Sequence, residues 1–339
     1  MALVRLVVRM CFVEQSTYEI DRRNFAQAVT TFMRDMTNFL GRTVFFIGLL
    51  FLAASCADPR KGAGVLRVGF VPAENAQQVI QNAQPIVDIL QQQLGMEVQP
   101  FVATDYTGVV EALRANKLDI AFLTPASYVL AKSEANVKVV LKSERKGSPY
   151  YYAAIITRAD SGITKLEDLR GKTFAFGDPL STSANVFPRK MLHERGIDPA
   201  RDFKQILYSG GHDATVLAVL NGKVDAGATY ANSADSKDTA WMRYLKDPDD
   251  QKQIRAIAFS EPIPADNLVI NGNLDNRLAK RIEEVFLELS RDSKGKKMLR
   301  DLYQIDGFVP ATDKDYDSVR RAFEIAGIRV REALQKKRP

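Results

Sequence analysis

The sequence predicts an α/β protein of two lobes with similar topology, and three observations carry that prediction. Apolar strand-like runs alternate with helical patterns along most of the chain. One stretch recurs after a fixed interval. The composition, 46% hydrophobic and 26% charged over 339 residues, is that of a globular chain long enough for two lobes.

Element by element, "VLRVGFVP" from Val65 reads as a strand and "PIVDILQQQLG" as a helix, with Pro85 in its first turn and Gly95 closing it. "MEVQPFVA" is a second strand. "GVVEALRANK", "LDIAFL", "VKVVLKS", "YYAAIITR", "KTFAFG" and "KVDAGATY" continue the alternation, which predicts largely parallel sheets. Gly62-x-Gly64 precedes a strand instead of following one, which excludes a dinucleotide fingerprint.

The recurrence appears at a shift of 106 residues: "YTGVVEALRANKLDIA" from Tyr106 lies without a gap over "HDATVLAVLNGKVDAG" from His212. Lys117 meets Lys223 and Asp119 meets Asp225. Each copy is a helix followed by a Lys-x-Asp turn into a strand, headed by a ring-bearing polar residue. This reads either as duplication, aiming Tyr106 and His212 into one cleft, or as a generic helix–strand unit met twice. Duplication is the expectation taken forward.

The N-terminal part differs in kind. The apolar run Val44 to Ala54 is too short to span a bilayer and suits a signal-peptide core. It leads into Leu52-Ala53-Ala54-Ser55-Cys56, which resembles the lipobox of bacterial lipoproteins, where the leader is cut before the Cys and its sulfur acylated. Polar "EQSTYEIDRRN" has no place ahead of such a core, so the expected start is Met33 or Met36. Residues 1–55 are thus read as a leader and 56–64 as a tether. The mature chain then keeps one cysteine, so it forms no internal disulfide; with His193 and His212 as its histidines, no metal site is expected.

Net charge is +6 at pH 7, but basic and acidic residues are interspersed, without an aromatic-studded basic stripe. Nucleic acid is therefore not an expected partner. No G-x-S-x-G, H-E-x-x-H or P-loop pattern occurs, so neither a catalytic residue nor a cofactor is predicted.

"GDPLSTSA", between the strand "KTFAF" and the helical "NVFPRKMLHERG", places Ser181, Thr182 and Ser183 at one boundary. One hydroxyl suffices as an N-cap. Three, beside the free N–H groups of a helix start, could instead form a socket for a tetrahedral oxyanion. On the local sequence the two readings stand level.

Together with "ATDYTGVVEALRANKLDIAFLTPASY", "GSPYYYAAIITR", "GGHDATVLAVLNGKVDAG" and "EPIPADNLVI", this stretch resembles, in order and spacing, the substrate-binding proteins of phosphate/phosphite/phosphonate ABC importers. The resemblance covers roughly residues 65 to 310. It implies a type II periplasmic binding-protein fold, two lobes joined by two crossovers near "YYYAAIITR" and "SEPIPADN". Lobe 1 would comprise residues 65–156 and 264–339, and lobe 2 residues 157–263.

The resemblance also implies that a phosphorus oxyanion is held by Tyr106, Tyr151, Ser181, Thr182, Ser183 and His212, with a bound dianion favouring protonated His212. Tyr151 could equally be a core strand residue, and Tyr128, after "TPAS", is a second-rank candidate. The family's aminoalkylphosphonate binders use two carboxylates for the ligand amine. One matches Asp266, which could also be a turn residue after Pro264, and the other falls on Asn232, where the charge is missing. That shifts the expected ligand to phosphite, phosphate or a small alkylphosphonate. Asp266 would then accept a hydrogen bond from a protonated ligand oxygen.

The expected protein is a monomeric, lipid-anchored receptor of the periplasm or cell envelope that hands its oxyanion to an ABC permease and ATPase. The alternative is a lipoprotein sensor that binds the same oxyanions and signals to a membrane partner.

Overall fold

The structure is a computed structural model and describes residues 64–329, apart from 236. The leader, most of the tether and the acylation expected at Cys56 lie outside the described residues. Among those residues no helix is long and apolar enough to cross a membrane.

Two six-stranded sheets form the two lobes. The first contains β1 (Leu66–Phe70), β2 (Val98–Val102), β3 (Ile120–Leu123), β4 (Val137–Glu144), β11 (Asn267–Asn271) and β12 (Gly307–Pro310), in the order β12-β4-β11-β3-β1-β2. The second runs β10-β5-β8-β6-β7, with β9 also on β5. Its strands are β5 (Tyr150–Arg158), β6 (Thr173–Phe176), β7 (Gln205–Tyr208), β8 (Ala226–Ala231), β9 (Ile254–Phe259) and β10 (Ile263–Pro264).

The sheets are less parallel than expected. β1 pairs in parallel with β2 and β3, as β6 does with β7 and β8. β11, however, lies antiparallel between β3 and β4, and β5 is antiparallel to β8, β9 and β10. Both reversed strands follow a crossing between lobes, so each enters its sheet from the opposite end to the strands joined by local helical crossovers.

The 106-residue recurrence is a correspondence of whole lobes. α2 (Tyr106–Arg114) and α5 (His212–Leu220) coincide in length and position. Arg67 N–H donates to Asp119 Oδ2 at 2.7 Å, and Thr173 N–H donates to Asp225 Oδ2 at 2.7 Å, the same contact one interval later. The turn before each aspartate needs a left-handed residue, supplied by Asn116 (φ 53°) and Gly222 (φ 63°). Even the strand register is kept: Val68 pairs with Pro100 and Phe174 with Ile206.

Helix α1 (Ala76–Leu94) begins nine residues before Pro85, which lies inside the helix instead of in its first turn. Asn75 caps the true start, its side chain accepting from Gln77 and Gln78 N–H. Burial of Val79 and Ala83 on the added turns, with Ile86, Val87 and Leu90 beyond, offsets the interior proline, which alone costs roughly 3 kcal/mol. Gly95 (φ 66°) ends the helix as expected. Further helices are α3 (Pro125–Glu134), α4 (Phe187–Glu194), α6 (Ala240–Tyr244), α7 (Asn276–Leu289), α8 (Ser293–Tyr303) and α9 (Asp317–Ile325), besides single turns at Pro199–Asp202 and Pro248–Lys252. α9 packs on α3 of one lobe and α4 of the other.

The first crossover precedes β5, so residues 150–156 belong to the second sheet and not to lobe 1. Arg145 and Ser148 exchange backbone bonds of 2.9 and 3.0 Å around Lys146 (φ 51°) and Gly147 (φ 76°), a tight turn that frees the chain to change sheets. The second crossover is Ala265–Asp266, between β10 and β11. The two lie side by side: Ser143 N–H donates to Asp266 O at 2.8 Å, and Ala265 N–H to Pro149 O at 3.0 Å.

Candidate functional site

One cavity lies between the lobes. Tyr106, Tyr151, Ser181, Ser183, His212 and Asp266 line it, six of the eight positions expected from sequence. Tyr106 and His212 are the first residues of α2 and α5, and Ser181 caps a π-turn at Thr182–Val186 that leads into α4. The N-termini of three helical segments thus open on one space, where free N–H groups and dipoles favour an anion.

The three hydroxyls divide their work. Ser181 Oγ accepts from Ala184 N–H at 3.2 Å, as a cap does, and still lines the cavity. Gly177 lets this loop fold back on itself: a Cβ there would lie 2.7 Å from that of Ala184. Thr182 turns to the other lobe, where its Oγ1 accepts from Ala126 N–H at 2.9 Å in the first turn of α3. Ser183 faces the cavity. The expectation that all three hydroxyls line the socket directly is therefore corrected for Thr182, whose oxygen serves the lobe contact and whose hydroxyl meets the Tyr151 phenol that does line the cavity.

Tyr128 is also corrected. It does not line the cavity; its hydroxyl donates to Asp313 Oδ1 at 2.6 Å and its ring packs on Tyr316 at 4.8 Å. Being at a strand-to-helix boundary did not decide its direction; the packing of α3 did.

The phenols are donors. Burial pushes the Tyr106, Tyr151 and Tyr303 hydroxyls well above their ordinary pKa, so they keep their protons. Tyr303 donates to Val71 O at 2.8 Å. Tyr106 is 1% exposed and its hydroxyl has no partner within the protein. A buried donor left unmatched costs roughly 1–3 kcal/mol, so such groups are kept where they have a task.

His212 is buried with its ring edge-on to Tyr230, and its Nδ1 lies 3.0 Å from Thr229 Oγ1. Burial, and then the charges of Arg243 and Arg145, push its pKa from 6.5 down to about 4. Its protein surroundings alone therefore hold the imidazole neutral at neutral pH. In the tautomer where Thr229 donates to Nδ1, Nε2 carries the ring proton and is the available donor.

Sequence reasoning missed the site's charged partners. Arg145, in the first crossover, contacts Asp266 Oδ2 through Nη2 at 2.8 Å; Arg243 of α6 meets Glu74 of the loop after β1 at 2.9 Å, across the cleft. All four line the cavity. Nothing local separates these two arginines from the other 45 Lys and Arg residues of the chain; only the crossovers and the lobe contact bring them to the site. Asn232 does not line it; its amide nitrogen donates to Asp238 and Gln304.

Further bonds hold the lobes together around this space. His212 N–H donates to Ala73 O at 3.1 Å, Tyr106 N–H to Asp178 Oδ2 at 3.3 Å, and Thr124 Oγ1 to Leu180 O at 3.1 Å. Two α/β lobes with two adjacent crossovers and a cavity that sets hydroxyls and two ion pairs at facing helix N-termini define a type II periplasmic binding protein. The chain belongs to the periplasmic substrate-binding proteins of phosphonate ABC transporters, whose family model matches residues 68–316. These are binding components of importers, not enzymes.

Among its relatives is a phosphate-import protein of Mycolicibacterium smegmatis, 29% identical over 308 residues, 81% of this chain and 92% of the relative. The phosphonates-binding periplasmic protein of Escherichia coli is 29% identical over 265 residues, 77% of this chain and 75% of that one. A solved binding-protein component of an ABC phosphonate transporter from Pseudomonas aeruginosa superposes with a TM-score of 0.71 at 27% identity, covering 82% of this chain and 91% of its own.

Proposed function

We propose that the protein captures a small phosphorus oxyanion (phosphonate, phosphite or phosphate), encloses it between its lobes and delivers it to an ABC permease and ATPase. It acts as a monomer, held at the membrane by a lipid on Cys56. The observation that carries this reading is the buried, unpartnered Tyr106 hydroxyl facing the same cavity as Ser181, Ser183 and the start of α5. Phenol, serine hydroxyls, imidazole N–H and helix N–H groups form a donor-rich shell, which suits a tetrahedral oxyanion. The family supports transport over signalling to a membrane partner.

Calorimetric titration of the purified protein with phosphate, phosphite, methylphosphonate and sulfate tests this. At least one phosphorus oxyanion should bind much more tightly than sulfate. Equal or tighter binding of sulfate, or no binding of the other three, would overturn the reading.

A further inference from the structure

We propose that the Arg145–Asp266 pair fixes the ligand's carbon substituent as uncharged and apolar, so that the cavity takes simple alkylphosphonates and rejects those bearing an ammonium group. This rests on the capture of phosphorus oxyanions proposed above.

An ammonium buried beside a phosphonate needs a carboxylate with charge to spare. The cavity has two carboxylates, and each already faces a guanidinium: Asp266 meets Arg145 at 2.8 Å and Glu74 meets Arg243 at 2.9 Å. A cation approaching Asp266 therefore meets nearly cancelling fields, and the desolvation of the ammonium is not recovered.

Arg145 is not free to swing away. It is 8% exposed, Nη1 donates to Ser143 Oγ at 3.2 Å, and Nε and Nη2 donate to Tyr303 O at 3.3 and 3.1 Å. Arg145 and Asp266 lie on adjacent crossovers, so the pair does not depend on the cleft being shut. The cavity wall also carries Val71, Phe122, Leu123 and Phe308, against which an alkyl group gains about fourfold in affinity per buried methylene.

The test titrates phosphite, methylphosphonate, ethylphosphonate and 2-aminoethylphosphonate into the wild type, Arg145→Met and Asp266→Asn. The wild type should bind ethylphosphonate at least about tenfold more tightly than its amino analogue. Arg145→Met releases the Asp266 carboxylate and should shrink or reverse that ratio by about tenfold, whereas a merely structural role would weaken all four ligands alike. Asp266→Asn leaves Arg145 unopposed and should widen the ratio. An amino analogue bound by the wild type as tightly as ethylphosphonate, or an unchanged ratio in Arg145→Met, overturns the inference. So does binding of phosphite with no binding of the carbon-bearing ligands. If circular dichroism shows Arg145→Met unfolded, the Asp266→Asn ratio decides, and failure to widen overturns the inference. If none of the four ligands binds the wild type, the inference fails, and if phosphate does not bind either, the capture reading fails with it.

Discussion

Tyr106 and His212 stand first in equivalent helices of the two lobes, one interval of 106 residues apart, and face the same cavity from opposite sides. The duplicated unit places a ring-bearing donor at the same point of each half. Facing lobes set the two donors on one space, and the identity of each ring then sets a separate property of the site.

The Tyr106 hydroxyl is buried without a protein partner. Tyr106→Phe should therefore leave the ligand-free protein at least as stable in urea unfolding, since it removes an unmatched donor. Affinity for the best phosphorus oxyanion should fall by about tenfold or more in calorimetric titration, the loss of one charge-assisted bond. A destabilised variant with normal affinity would mean that the hydroxyl is structural.

Ser183→Ala and Thr182→Ala should separate. Ser183 faces the cavity, so its loss should cost about ten- to a hundredfold in affinity with little change in unfolding. Thr182 ties the π-turn to α3, so its loss removes a neutral bond worth about 1 kcal/mol and should weaken binding by only about fivefold, through the shut conformation. The same variants compared by titration would contradict this division if Thr182→Ala proved the more damaging.

Glu74 and Arg243 join the lobes at 2.9 Å with both side chains mostly buried. Glu74→Gln leaves the guanidinium without its charge partner and should shift the protein toward open forms. Small-angle scattering should show a larger radius of gyration without ligand, and affinity should drop in proportion to the shut fraction. An unchanged radius together with unchanged affinity would remove the pair from the account of closure.

His212 makes stability pH-dependent. Its folded pKa of about 4 lies below the unfolded value of 6.5, so between these values the unfolded chain binds more protons and stability rises with pH. The contribution is complete above the unfolded value and is lost as pH falls toward about 4, amounting to about 3 kcal/mol. Urea unfolding of the wild type and His212→Gln across that window should show the slope in the first and a reduced slope in the second. Parallel curves would assign the dependence to other groups.

Cys56 lies outside the described residues, and its acylation is an expectation from the lipobox-like stretch that ends in it. Expression of the full chain with a labelled fatty acid should mark the wild type and leave Cys56→Ser unmarked. Equal labelling of both would exclude a lipid at this position.

The sequence by itself determined what depends on local spacing. Alternating apolar runs specified seven of the twelve described strands, β1–β6 and β8, and the recurrence specified two equivalent halves, in which Asp119 and Asp225 prove to make the same contact, to β1 and to β6. Separated motifs pointed to six residues that do line the cavity. Tertiary structure decided where burial and chain crossings act. Asn75 capping and the burial of Val79 and Ala83 carried α1 past Pro85. Crossing between lobes reversed β5 and β11, and helix packing turned Tyr128 toward Asp313 and Thr182 toward α3. Arg145, Asp266, Glu74 and Arg243 became two ion pairs only because segments as much as 169 residues apart meet at the crossovers and the cleft. A charge pairs by distance in space, and no local pattern in a sequence records that distance.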